Sequence, residues 1–166
     1  MLAEFFDDLP VTALYSSDLW RAQETALVIG TALGLSVQIN CALRERSFGV
    51  WEGREQSSLC SRLSGIQGDR VVDISARPKG GESLSDLSSR VGTFIDWLAD
   101  EHHDGEAVVV THGGTVRAIR AYCAGHSLDQ AAWDQVPSAS VWHVALPQTD
   151  SINGSPMVQR ENGGIK

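Results

Sequence analysis

His112 lies in the stretch VVVTHGGTVRA, where a run of apolar and β-branched residues meets a histidine, two glycines and a new helical pattern. The spacing predicts a strand that ends at His112 and a helix from Thr115 to Ala124, with Gly125 as its C-cap. Gly113 and Gly114 let the backbone turn there without a Cβ in the way. Free N–H groups and the positive end of the helix dipole then face His112, which favours an anion, and phosphate is the natural suspect. Arg21 is the second such residue. It falls in the first turn of a helix that follows a strand, where a cation opposes the helix dipole by a few tenths of a kcal/mol. An anion between the two would reverse that sign; the alternative is a solvated surface arginine. Glu45, between Arg44 and Arg46, is the third. A carboxyl beside a phosphate site can act as general acid towards a leaving alkoxide if its pKa is raised. Glu52 competes for that role, and a surface salt bridge is the plainer reading for either.

The elements that must position these residues are legible from periodicity. VTALYSS, from Val11, reads as a strand. The helix after it carries Leu19, Ala22, Ala26, Ile29 and Leu33 on one face, with Ser17 as the expected N-cap and Gly34 as the stop. SVQIN gives a short strand. From Leu43 to about Pro78 the pattern is irregular, interrupted by Gly49, Gly53, Gly65 and Gly68; Arg54, Arg62, Arg70 and Arg77 there either reach anionic groups or are solvated. Ser83 opens a helix lined by Leu84, Leu87, Val91, Phe94 and Leu98, with Asp86 as its capping partner. EAVVVT is expected to be a parallel strand covered on both faces, and SASVWHVAL a final strand. Strands alternating with helices imply an α/β fold with a mostly parallel sheet.

The 166 residues fit one domain, 42% hydrophobic and 20% charged. A net charge of −8 argues against nucleic acid and anionic membranes as partners and requires any bound anion to be held by a local cluster of cations. No apolar run approaches the ~18 residues of a membrane span, and the N-terminus lacks a signal-peptide pattern. Cys41, Cys60 and Cys123 form no CxxC pair and are read as reduced thiols of a cytoplasmic protein, Cys123 in the core. No metal site is implied by ligand spacing.

Four stretches in order, YSSDLWRAQETA, LRERSFGVWEG, PKGGES and VVVTHGGTVRA, resemble the histidine phosphatase superfamily, the phosphoglycerate-mutase-like proteins, and more specifically its small phosphatase branch. The resemblance covers roughly Val11 to Leu146. It implies a three-layer α/β sandwich with a phosphate pocket at the carboxyl ends of the strands, in keeping with the rule for open α/β sheets. It assigns Arg21, His112 and Gly113 to phosphate binding, Glu45 to proton donation and His112 to stabilising the phosphoryl group in the transition state. Glu82 and Ser83 match a loop whose role is taken as structural. No cofactor or metal is implied. The expected partner is a small phosphorylated metabolite, and a homodimer is compatible with this reading.

One family feature is missing from the sequence. The family's nucleophilic histidine belongs to an Arg-His-Gly motif on a first, central strand, and no such motif occurs here. His102, His103, His126 and His143 do not lie in a strand-to-glycine turn. The expectation is therefore a histidine-phosphatase-like domain over residues 1–147, N-terminally incomplete, with 148–166 as a disordered tail. Its activity would be phosphomonoester hydrolysis through a phosphohistidine in the complete protein, weak or absent in the chain as written. The alternatives are a non-catalytic phospholigand-binding paralogue and a phosphoglycerate mutase.

Overall fold

The computed structural model describes residues 6, 9–54, 64–68, 70–103, 105–131, 133–146 and the backbone of 158–161. Strand β1, Val11–Ser16, pairs in parallel with β2, Val37–Ile39, on one side and with β5, Glu106–Val110, on the other. Its side chains alternate. Leu14 enters a cluster with Ile29 of helix α1, Trp20–Leu33, whereas Ala13 and Tyr15 enter a second cluster. That second cluster is built from α2, Leu84–Glu101, and α3, Gly113–Cys123. Strand β5 alternates likewise, with Val108 and Val110 on the α1 side and Ala107 and Val109 on the other. The result is three layers: α1, a parallel sheet, and α2 with α3. The expected sandwich is therefore present.

Each helix follows from its pattern. Ala22, Ala26 and Ile29 of α1 are buried, and Gly34 closes the helix in the left-handed conformation, φ 66°. Gly30 is needed for a different reason: a Cβ there would lie 2.7 Å from the Leu35 carbonyl oxygen. Leu84, Leu87, Val91, Phe94, Ile95 and Leu98 of α2 are buried, each contributing about 2 kcal/mol. Ser83 and Asp86 form the full capping box. Cys123 is 1% exposed, and burial pushes its thiol up to about 12, as befits a core residue.

Several expectations are corrected. Helix α1 starts at Trp20 with Leu19 as N-cap; Ser17 Oγ accepts the N–H of Leu19, not one inside the helix, and its hydroxyl lies against His112 instead. Strand β5 is half-buried along its whole length, because it is the outer strand of the three. The irregular stretch contains two 3-10 turns, Cys41–Leu43 and Gly49–Trp51, and a small antiparallel pair, β3 (Ile66–Gln67) with β4 (Arg70–Val71). Cys60 and Arg62 lie outside the described residues. Strand β6 spans Val141–Val144 and pairs antiparallel with β7, Val158–Glu161, which falls within the stretch expected to be a disordered tail.

Candidate active site

Strands β1 and β5 run side by side, so the residues following their carboxyl ends meet. The Ser17 N–H donates to the Val110 carbonyl at 3.0 Å, which brings the chain after β1 against the chain before His112. His112, 9% exposed, is the N-cap of α3. Arg21 reaches it from the first turn of α1: its Nε donates to His112 Nδ1 at 3.2 Å. The Ser17 hydroxyl lies 2.9 Å from Nε2. A guanidinium N–H can only donate, so Nδ1 is the bare nitrogen of the neutral ring. Nε2 carries the proton and donates it to Ser17 Oγ. Burial, and then the Arg21 charge, pushes the His112 pKa below its usual value, which keeps the ring neutral at pH 7.

Glu45 arrives from the loop after β2. Its Oε2 accepts the Gly114 N–H at 2.9 Å and its Oε1 accepts the Arg46 N–H at 2.9 Å. The positive end of α3 therefore already holds an anion, and it is the Glu45 carboxylate. This explains the glycine pair differently from the sequence reading. Neither residue turns the chain with positive φ; both lie within α3, and a Cβ on Gly114 would stand 2.2 Å from Glu45 Oε1. Gly114→Ala is expected to expel the carboxylate while leaving the fold intact, because the atom in the way ends a movable side chain. Loss of that charge-assisted bond would shift the residue-114 amide proton upfield in an NMR spectrum; an unmoved resonance would refute the account.

The Glu45 loop is pinned from three directions. Thr111 Oγ1 donates to the Leu43 carbonyl at 2.7 Å and Thr115 Oγ1 to the Arg44 carbonyl at 2.6 Å. Arg90 of α2 donates to the Ala42 and Arg44 carbonyls at 2.6 and 2.9 Å. Its other face binds Glu82, with Nε to Oε1 at 2.8 Å and Nη2 to Oε2 at 3.0 Å. Glu82 also accepts the Ser47 N–H at 3.0 Å. Burial works against ionisation of Glu82, but Arg90 and the Ser47 N–H outweigh it and hold the carboxyl below its ordinary value. Behind them Arg46, 4% exposed, donates to the carbonyls of Glu82, Ala76 and Ser64. Glu82 and Ser83 are thus supports of the site.

Other candidates are resolved by their partners. Glu52 accepts from Ser47 Oγ and the Phe48 N–H and closes its own turn. Arg44 is held bidentately by Asp18 at 2.7 Å, Arg77 pairs with Asp86, and Arg54 lies over Trp51. His102 and His103 follow α2, with His102 bonded to the Tyr15 hydroxyl at 2.7 Å. His126 follows the far end of α3, and His143 faces Glu106 at the start of β5, 3.9 Å away. The sequence reading missed Ser17, Arg90 and Arg117 as neighbours of the site.

A parallel α/β sheet with a histidine, an arginine and a carboxylate gathered at the carboxyl ends of its strands defines the class: an open α/β protein with its polar cluster where such sheets place their ligand sites. The family model for the histidine phosphatase superfamily (branch 1) matches residues 1–151, and the chain belongs to that superfamily. The chain is 37% identical over 113 residues to phosphoglycerate mutase-like protein 4 of Arabidopsis thaliana, covering 66% of this chain and 49% of that one. It is 32% identical over 116 residues to glucosyl-3-phosphoglycerate phosphatase of Mycobacterium tuberculosis, covering 65% and 52%. The solved mycobacterial glucosyl-3-phosphoglycerate phosphatase complexed with VO3 superposes with a TM-score of 0.73 at 26% identity, covering 87% of this chain and 73% of that one. The chain spans about half the length of the curated relatives it matches. No helix among the described residues is long and apolar enough to cross a membrane.

Proposed function

We propose that this chain carries the phosphate grip and the proton donor of a phosphomonoester hydrolase acting on a small phosphorylated metabolite. The observation that carries the reading is the 3.2 Å contact between Arg21 Nε and His112 Nδ1. Two groups that can both be cationic meet there with no carboxylate between them, and a phosphoryl group inserted at that contact would accept from both. The guanidinium fork binds two oxygens. His112 would take up a proton on Nδ1 and donate it to a third, while Nε2 stays on Ser17. Glu45, fixed at the start of α3 two residues away, is the carboxyl placed to hand a proton to a leaving alkoxide once it has taken one up on an oxygen freed from its N–H donor. The phosphohistidine route implied by the family resemblance needs a nucleophile, and none of His102, His103, His126 or His143 is placed to attack at His112. Turnover by these residues alone is accordingly weak, and binding is the sharper readout.

Sulfate tests this, because it does not titrate between pH 5 and 8. A bound anion favours the imidazolium, so the His112 pKa rises on binding. Between the free and bound values binding takes up a proton, and affinity increases as the pH falls through that window. Arg21, Asp18, Glu45 and Arg90 are the charged groups that act on the ring. The expected result is sulfate binding that tightens from pH 8 to 5.5 with one proton taken up, and a flat profile in His112→Gln. No anion binding, or the same slope in the variant, would overturn the assignment. Inorganic phosphate bound by a chain that never hydrolyses p-nitrophenyl phosphate would favour the non-catalytic alternative.

A further inference from the structure

We propose that Asp18 holds Arg44 in reserve, so that the two form a latch beside the phosphate site, which a bound oxyanion opens by taking Arg44 for itself. The inference rests on the phosphate reading of Arg21 and His112 and adds a third cation to that grip. Asp18 lies between Ser17, whose hydroxyl is 2.9 Å from His112 Nε2, and Arg21, whose Nε is 3.2 Å from His112 Nδ1. Its charge acts on the His112 ring. Arg44 comes from the other side. It immediately precedes Glu45, and its carbonyl accepts from Thr115 Oγ1 in the first turn of α3 at 2.6 Å. The pair thus joins the two segments that bring Arg21 and Glu45 to His112.

Within the pair, Arg44 Nε donates to Asp18 Oδ1 and Nη2 to Oδ2, both at 2.7 Å. That is the two-pronged geometry by which a guanidinium takes two oxygens of a phosphoryl group, so the carboxylate occupies the donors an anion would use. Arg44 holds the Asp18 carboxyl below its ordinary value, which keeps it charged at neutral pH. Among the described residues the Arg44 guanidinium has no other hydrogen-bond acceptor. Its side chain is 55% exposed and that of Asp18 23%, so water screens the pair and little is lost when Arg44 changes partner. The Arg90–Glu82 pair is the contrast, enclosed and tied to carbonyls of the same loop. Thr115 and Arg90 fix the Arg44 backbone, so its side chain can turn without moving Glu45. In the empty site Asp18 offsets one cation, and a dianion draws Arg44 away because it offers more charge than a carboxylate does.

The rival reading is a plain surface ion pair that staples the two segments, and it carries the opposite sign. Calorimetric titration of the full chain with sulfate at pH 6 is expected to show Asp18→Asn binding about fivefold tighter than the parent, because Arg44 is then free. A staple would make the same variant bind more weakly. Adding Arg44→Met to Asp18→Asn should return the affinity to within about twofold of the parent's. Direct contact is read from the side-chain Nε–H signal of Arg44 in a nitrogen–proton NMR spectrum, which should move in the parent as sulfate saturates the site. An Asp18→Asn affinity at or below the parent's, a gain that survives Arg44→Met, or an unmoved Arg44 signal would overturn the latch. If Asp18→Asn fails to fold, the Arg44 signal of the parent decides. Sulfate binding without these effects removes the latch alone; no sulfate binding by the parent removes the phosphate reading and the latch with it.

Discussion

Arg90→Met is expected to lower the unfolding free energy by about 3 kcal/mol and to release the loop that carries Glu45. The side chains of Arg90 and Glu82 are only 21% and 27% exposed, so their ion pair is shielded from water. Removing the guanidinium strands the Glu82 charge, takes the Arg90 donor from the Ala42 carbonyl and leaves the Arg44 carbonyl to Thr115 Oγ1. Methionine keeps most of the stem volume, so the loss reports polar contacts rather than a cavity. Glu82→Gln in the Arg90→Met background should recover part of the loss, which denaturant titration of the four-membered cycle would measure. The pH dependence has a definite sign. Glu82 titrates below its usual 4.5 in the folded chain, so its contribution is present above that value and disappears as the pH falls through the folded value. In Arg90→Met that acid-side loss should begin at higher pH. A cost under about 1 kcal/mol would mean that water satisfies the network as well as Arg90 does.

Arg21→Ala is expected to do the opposite: abolish function and spare the fold. An arginine fork on a phosphoryl group makes charge-assisted bonds of about 1.5–3 kcal/mol each, so phosphate affinity should fall about 100-fold. Yet Arg21 is exposed and stands in the first turn of α1, which contains no acidic residue. A cation there opposes the helix dipole, and alanine is the better helix former. The variant should therefore be as stable as the parent or more stable by a few tenths of a kcal/mol. A residue that is locally unfavourable for folding and essential for binding is the usual signature of a functional position. A thermal midpoint lowered by several degrees, or phosphate affinity within threefold of the parent, would count against the assignment of Arg21.

Those two arginines also show what a sequence displays. Arg21 was readable because its position broke a local rule, a cation at the wrong end of a helix. His112 was readable because a buried strand ran into glycines, and Glu45 because its stretch fell in order with the others. Arg90 broke no rule. It occupies the polar side of an amphipathic helix, and besides Glu82 its partners are backbone carbonyls of residues 42 and 44, which no side-chain pattern reveals. Arg117 looked equally ordinary on α3. Ser17 was misassigned because a serine before a helix is a good N-cap, and tertiary demand from His112 took it instead. The glycine pair was recognised for the wrong reason: turn geometry is visible in sequence, whereas room for a carboxylate arriving from residue 45 is not. The half-burial of β5 depends on what stands at the sheet's edge, a property of the assembled sheet.

Strand β1 is bonded to β2 and to β5, and the three do not leave the ribosome together. Val37–Ile39 follow β1 closely, but Glu106–Val110 come roughly seventy residues later. Counted from the end of β1 the interval is about ninety residues, so at about 5–20 residues per second the β5-facing edge of β1 waits roughly 5–18 s for its partner. Every bond that gathers the site crosses the same interval: Ser17 to His112 spans 95 positions, Arg21 to His112 91, and Gly114 to Glu45 69. The nascent chain thus holds an open strand edge, Val11–Ser16, until β5 emerges, and an edge of that kind is a template for pairing with other chains until it is covered.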